Sequence, residues 1–173
     1  TKIFTFHGLC NDIIQSYPED FGEILGRRPA NEVERIDILK SAIENSELKI
    51  LRPFGEPFFY LRDALKAISD LKKEAITPEK FEDALTREKK KFEAIEDLYY
   101  DSGRYKGKMK GKYAELKKQI DKNFELRKVY FSYEEKLKEA KLYDYDDMIL
   151  RVSEAFHKNN NLLLLIQEKY QYF

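Results

Sequence analysis

Three carboxylates, Asp144, Asp146 and Asp147, fall within residues 144–147, and oxygen ligands so close together could bind a hard cation. Helix capping accounts for two of them more simply. Asp144 is a good N-cap, and an acid three residues on, Asp147, can bond back to the start of the helix. Asp146 is then expected to point to solvent, and no metal is assigned. His7 and His157 fall on separate predicted helices without a partner motif, so zinc is not supported. Cys10 is the single cysteine; on an apolar helix face it reads as a small core residue rather than a nucleophile. The chain contains no GxxxxGK[ST] phosphate loop, so nucleotide hydrolysis by these residues alone is not expected. No catalytic residue and no cofactor are assigned.

Two other stretches carry residue types suited to nucleic acid. Thr5, Phe6 and His7 stand where a β-branched and aromatic run, Lys2 to Phe6, gives way to a helix predicted from His7 to Tyr17. Such a junction offers the Thr5 hydroxyl, unpaired backbone N–H groups and a favourable dipole for a phosphate. Phe6 could lie against a base. The plainer reading makes Phe6 a core residue and His7 merely the start of a helix. The second stretch runs from Arg104 to Tyr113, the longest run of basic residues without an acid between them. Arg104, Lys106, Lys108, Lys110 and Lys112 could meet phosphates in a salt-dependent way, and Tyr105 and Tyr113 could stack on bases or on a duplex end. The alternative is a solvated loop that lysine keeps soluble.

Helices must position both stretches. Charged residues make up 37% of the 173 residues against 7 glycines and 5 prolines, a composition of long solvent-exposed helices. The 32 basic and 32 acidic residues cancel, so any nucleic-acid contact has to come from a local patch. Apolar spacing predicts helices over 32–45 (Val33, Ile36, Leu39 and Ile43 inward), 58–73 and 78–100, the last about 35 Å long. Thr77 and Pro78 supply its N-cap and first position. A second long helix is expected from near Met109. Its stripe re-phases after Phe124, from Tyr113, Leu116 and Ile120 to Leu126, Tyr130, Tyr133 and Leu137, which implies a bend or a change of packing partner. The two are expected to form an antiparallel hairpin or coiled-coil arm over 78–141, with the basic run at its tip. A helix over 145–157 follows, with Met148, Ile149, Val152 and Phe156 inward; the asparagines at 159–161 break it, and a second short helix carries Leu162 to Ile166. Tyr170, Tyr172 and Phe173 read as the opening of a strand. The fold class is therefore mainly α, with short terminal strand remnants. No secretory signal or membrane-spanning run is visible. A lone cysteine suits a reducing compartment, and the cytoplasm is the expected location.

Two motifs carry a resemblance. Asp144-Tyr145-Asp146-Asp147-Met148 and Leu164-Leu165-Ile166-Gln167-Glu168-Lys169-Tyr170-Gln171-Tyr172 resemble the D-[FY]-x-[DE]-[LM] and LL..(Q/H)E(K/R)[FY]Q(Y/F) helices of the UvrD/Rep/PcrA superfamily 1 DNA helicases. In that family the next strand bears the Walker B motif. Thr5-Phe6-His7-Gly8 is similar to the family's TFH(S/G) junction, which grips single-stranded DNA, and Ile68-Ser69 to Pro78 loosely resembles its helical 1B insertion. The resemblance is loosest over 86–133 and carries nothing over to the arm tip. It implies an internal piece of a helicase. Residues 1–20 would belong to the first motor domain, 21–141 to the 1B-like insertion, and 142–173 to helices returning to the Walker B strand, with the DExQ acid just beyond Phe173. It also implies ATP, magnesium and 3′-to-5′ unwinding in the intact protein, single-stranded and forked DNA and the remaining motor domains as partners, and no ATPase in this segment by itself. The terminal strand edges are expected to pair with each other, pair with a neighbouring molecule, or fray. A helicase–nuclease subunit of the RecB/AddA sort shares these motifs, and a coiled-coil protein-interaction module is the alternative from another class.

Overall fold

The computed structural model describes residues 4–22, 24 and 26–170. Helix α1 (Phe6–Ser16) begins at Thr5, whose hydroxyl accepts the Gly8 N–H at 3.1 Å. The strand expected over Lys2 to Phe6 does not extend to Thr5 and Phe6: Phe6 is helical and Thr5 is a cap, while Lys2 and Ile3 lie outside the described residues. A β-branched run needs a neighbour to supply its ladder, whereas Thr5 caps α1 with its own side chain. Strand β1 (Arg28–Pro29) pairs in parallel with β2 (Leu142–Tyr143), Arg28 opposite Leu142. The Ala30 N–H donates to the Tyr143 carbonyl at 2.8 Å. Two residues are too few for an alternating pattern, which is why neither strand was legible.

Helix α2 (Glu32–Glu44) starts from an Asn31–Glu34 capping box, and α3 (Leu61–Lys73) starts three residues later than predicted, after a turn at 57–60. Helix α4 (Pro78–Glu93) has the expected Thr77 cap but stops well short of Tyr100. At about 1.5 Å per residue it is roughly 24 Å long. It ends because Ile95 and Leu98 turn inward and join Phe92 in a small cluster. A 3-10 turn, Gly111–Tyr113, leads into α5 (Ala114–Glu139). Helix α5 runs unbroken through Phe124, so the re-phased stripe reflects a change of partner. Ile120 packs with Phe92 and Leu98, whereas Val129, Tyr130, Tyr133 and Leu137 pack with residues of α2 and α3. The hairpin is antiparallel: Arg127 pairs with Glu82, and the Lys89 ammonium lies 6.0 Å from the Phe124 ring centre.

Helix α6 (Tyr145–Lys158) lies where predicted, and α7 (Asn160–Lys169) includes the expected Leu162 to Ile166 helix but extends beyond it at both ends. Tyr170 caps α7 rather than opening a strand, and the rest of that expected strand, 171–173, lies outside the described residues. The two ends do meet: the Phe4 and Tyr170 rings stand edge to face at 6.1 Å. Val33 and Leu116, in the first turns of α2 and α5, and Ile149, beside the buried Met148–Val152 face of α6, all expected inward, are exposed. Among the described residues, packing divides into three clusters. One joins α1, α6 and α7 through Cys10, Ile13, Met148, Val152 and Ile166. A second joins α2, α3 and α5, and the third closes the hairpin end.

Candidate nucleic-acid interface

The α1 start presents its residues as a surface. Phe6 is 79% exposed, so it is not a core residue. His7 is half-buried, its ring edge-on to that of Tyr145 at 5.8 Å. The Thr5 hydroxyl accepts from Gly8 and keeps its own hydrogen to donate. The first N–H groups of any helix have no partner within it, so this corner combines a hydroxyl, free donors and an exposed ring.

The hairpin end is more ordered than a run of lysines suggests. The Tyr100 N–H donates to the Lys108 carbonyl at 3.0 Å, the Gly107 N–H to the Tyr100 carbonyl at 2.8 Å, and the Lys110 N–H to the Leu98 carbonyl at 2.9 Å. Gly103 and Gly107 make the reversals at φ +75°, a conformation that costs glycine little. Asp97, outside the basic run, faces it: Lys112 lies 2.6 Å and Lys110 3.6 Å from its carboxylate. The Tyr113 hydroxyl donates to the same carboxylate. The hydrogen bonds from Lys112 and then Tyr113 hold Asp97 at about 2. The predicted set thus divides. Arg104, Lys106 and Lys108 have no acid within ion-pair distance among the described residues, and Tyr105 is exposed; Lys110, Lys112 and Tyr113 are engaged with Asp97. The α1 corner and the hairpin end belong to different packing clusters.

The three aspartates diverge. The Asp144 carboxylate accepts from the Tyr133 hydroxyl at 3.0 Å and pairs with Arg35 at 3.1 Å. Asp147 accepts the Asp144 N–H at 2.9 Å, as the predicted cap requires. Asp146, expected in solvent, instead accepts from the Ser69 hydroxyl of α3, which packs across α6. Among the described residues no group of three or more His, Cys, Asp or Glu is placed to hold a metal ion.

Lys72, unnoticed in the sequence, is the hub of this region. Only 2% exposed, its ammonium lies 2.6 Å from Glu134, 2.9 Å from Asp147 and 3.6 Å from Asp144. Burial opposes its charge, but Asp147, Glu134 and Asp144 outweigh that and hold it protonated. Burial pushes the Glu134 carboxyl up, with Lys72 opposing and Asp147 adding to it. The signal was present: Lys72 stands four residues after the buried Ile68, so helical phase turns it inward.

Against this geometry, the family model described as UvrD/REP helicase N-terminal domain matches residues 1–173. No curated protein and no solved structure matches the chain.

Proposed function

Because the chain belongs to the UvrD/REP helicase N-terminal domain family, whose membership implies an ATP-dependent, helicase-type role in unwinding DNA, we propose that it is the DNA-holding part of a 3′-to-5′ helicase. The observation that carries the reading is the exposure of Phe6 beside Thr5 at the start of α1. Single-stranded DNA would run over this corner, a phosphate taken by the Thr5 hydroxyl and first-turn N–H groups and a base against Phe6. The end of the α4–α5 hairpin would reach the fork through Arg104, Lys106 and Lys108. The packing clusters support assigning 1–20 and 142–173 to the motor domain and 21–141 to the insertion, since one cluster draws almost wholly on the first two ranges.

ATP and magnesium would serve the intact protein. This chain has neither a GxxxxGK[ST] loop nor a DExQ sequence, so none of its residues fits either group and no step is assigned to them. The remaining motor domains are the expected partners, and the cytoplasm the expected setting. Among the described residues, no helix is long and apolar enough to cross a membrane.

The test is binding of the chain to labelled single-stranded and forked DNA across a salt series. Weak, salt-sensitive binding reduced by Phe6→Ala is expected. Absence of binding at low salt would remove the DNA-holding role and favour a protein-contact arm.

A further inference from the structure

We propose that Tyr100 and Tyr105 form a stacking platform at the end of the α4–α5 hairpin that takes an unpaired nucleobase. The inference rests on the reading that this end meets DNA, and it specifies which part of the DNA it takes. Tyr100 is 40% and Tyr105 52% exposed. The Tyr100 and Tyr105 rings lie 5.8 Å apart, tilted by 40°. They are not on a loose loop: Tyr99 bridges to Met109 and Tyr100 to Lys106, and the hydrogen bonds of the ladder fix both backbones. A pre-ordered aromatic surface loses little conformational entropy when a base settles on it.

The chemistry around the rings favours nucleic acid over a protein helix. The aliphatic side chains next to the rings, Ile95, Leu98 and Met109, are turned into the small cluster beneath, so the face around Tyr100 and Tyr105 is aromatic and cationic. Lys108 lies 5.7 Å from the Tyr105 ring centre and Lys110 5.8 Å from that of Tyr100. Arg104, Lys106 and Lys108 remain free to meet the phosphates flanking a stacked base, with Asp101 the acid at the rim. The centre of a protein-docking surface is depleted in lysine, whereas here lysines lie over both rings. Bases within a duplex offer no open face, so the platform selects single strands and frayed ends.

The chain has no tryptophan, so Tyr105→Trp places a single, selectively excitable tryptophan on the platform. Three readings are taken on the whole chain: anisotropy of a labelled oligothymidylate, emission of Tyr105→Trp with unlabelled oligothymidylate or a blunt hairpin duplex, and affinity of Tyr100→Leu/Tyr105→Leu. The expected result is quenching by the single strand and little by the duplex. The leucine variant should bind about tenfold more weakly, with unchanged circular dichroism and melting. Anisotropy that rises without quenching, and without loss in the leucine variant, overturns the platform and leaves the DNA-holding reading intact. Equal quenching by the duplex overturns the claim for unpaired bases. No anisotropy change at low salt overturns the DNA-holding reading and the platform with it.

Discussion

At the scale of single residues, Asp97 and Lys72 decide what neighbouring charges are able to do. Asp97 engages Lys110 and Lys112, so Lys106→Ala/Lys108→Ala is expected to weaken DNA binding and flatten its salt dependence. With about 0.7 counterions per single-strand contact, the slope of log K against log salt should fall by roughly 1.4. Lys110→Ala/Lys112→Ala should change it little, and anisotropy titrations over a salt series compare the two. A carboxyl held at about 2 contributes its stabilisation above the usual aspartate range and loses it as pH falls towards 2. The Asp97 pairing should therefore persist at neutral and mildly acid pH, as a carboxyl-carbon NMR titration would register. Lys72 presents the opposite situation, a cation sealed among carboxylates. Lys72→Met leaves Glu134, Asp144 and Asp147 without it and should cost about 3–5 kcal/mol in urea unfolding. Because burial raises Glu134, the folded state holds that proton more tightly than the unfolded chain. Its contribution is complete at low pH and is lost as pH rises through the raised value. The stability of Glu134→Gln relative to the parent should accordingly improve from pH 4 upward, about the ordinary glutamate range.

At the scale of elements, α5 serves as the spine of the helical arm, and one of its side chains organises a loop. The Glu125 carboxylate accepts the N–H groups of Lys49 at 2.8 Å, Ile50 at 2.9 Å and Leu51 at 2.8 Å. A loop whose backbone donors bond to an acid from another element needs no regular structure of its own. Glu125→Ala removes the acceptor from all three. A loss of roughly 1–3 kcal/mol is expected, with faster amide exchange at 49–51 and little change in α6 and α7. The same helix explains why a re-phased stripe is not a kink: its two halves face different partners while its backbone stays continuous.

At the scale of the whole molecule, the three clusters should differ in stability. The cluster at the hairpin end has only Phe92, Leu98 and Ile120 as its buried residues, so it should open by itself. Hydrogen exchange is expected to release the amides of 95–113 well before those around Tyr133 and Leu137, and Ile120→Ala should speed the former alone. Local information sufficed for much of the architecture. Thr77-Pro78, Asn31 with Glu34, and Asp144 with Asp147 each mark a helix start through bonds made within three residues, and helical spacing located the main helices without reference to the rest of the chain. The motifs at Thr5–Gly8 and Asp144–Tyr172 were enough for the family. What the chain could not reveal on its own are the outcomes of distant encounters. Asp97 reaches Lys112 across a turn, Ser69 finds Asp146 across helices, and Lys72 is balanced by acids from α5 and α6. Whether α4 continued to Tyr100 depended on Ile120 drawing Leu98 inward, and whether Phe6 was buried depended on what packed over α1. Capping and periodicity are short-range and survive in any context. Ion pairing, burial and the exposure of a stacking ring are properties of what else arrives at the same place, and only the tertiary structure decides that.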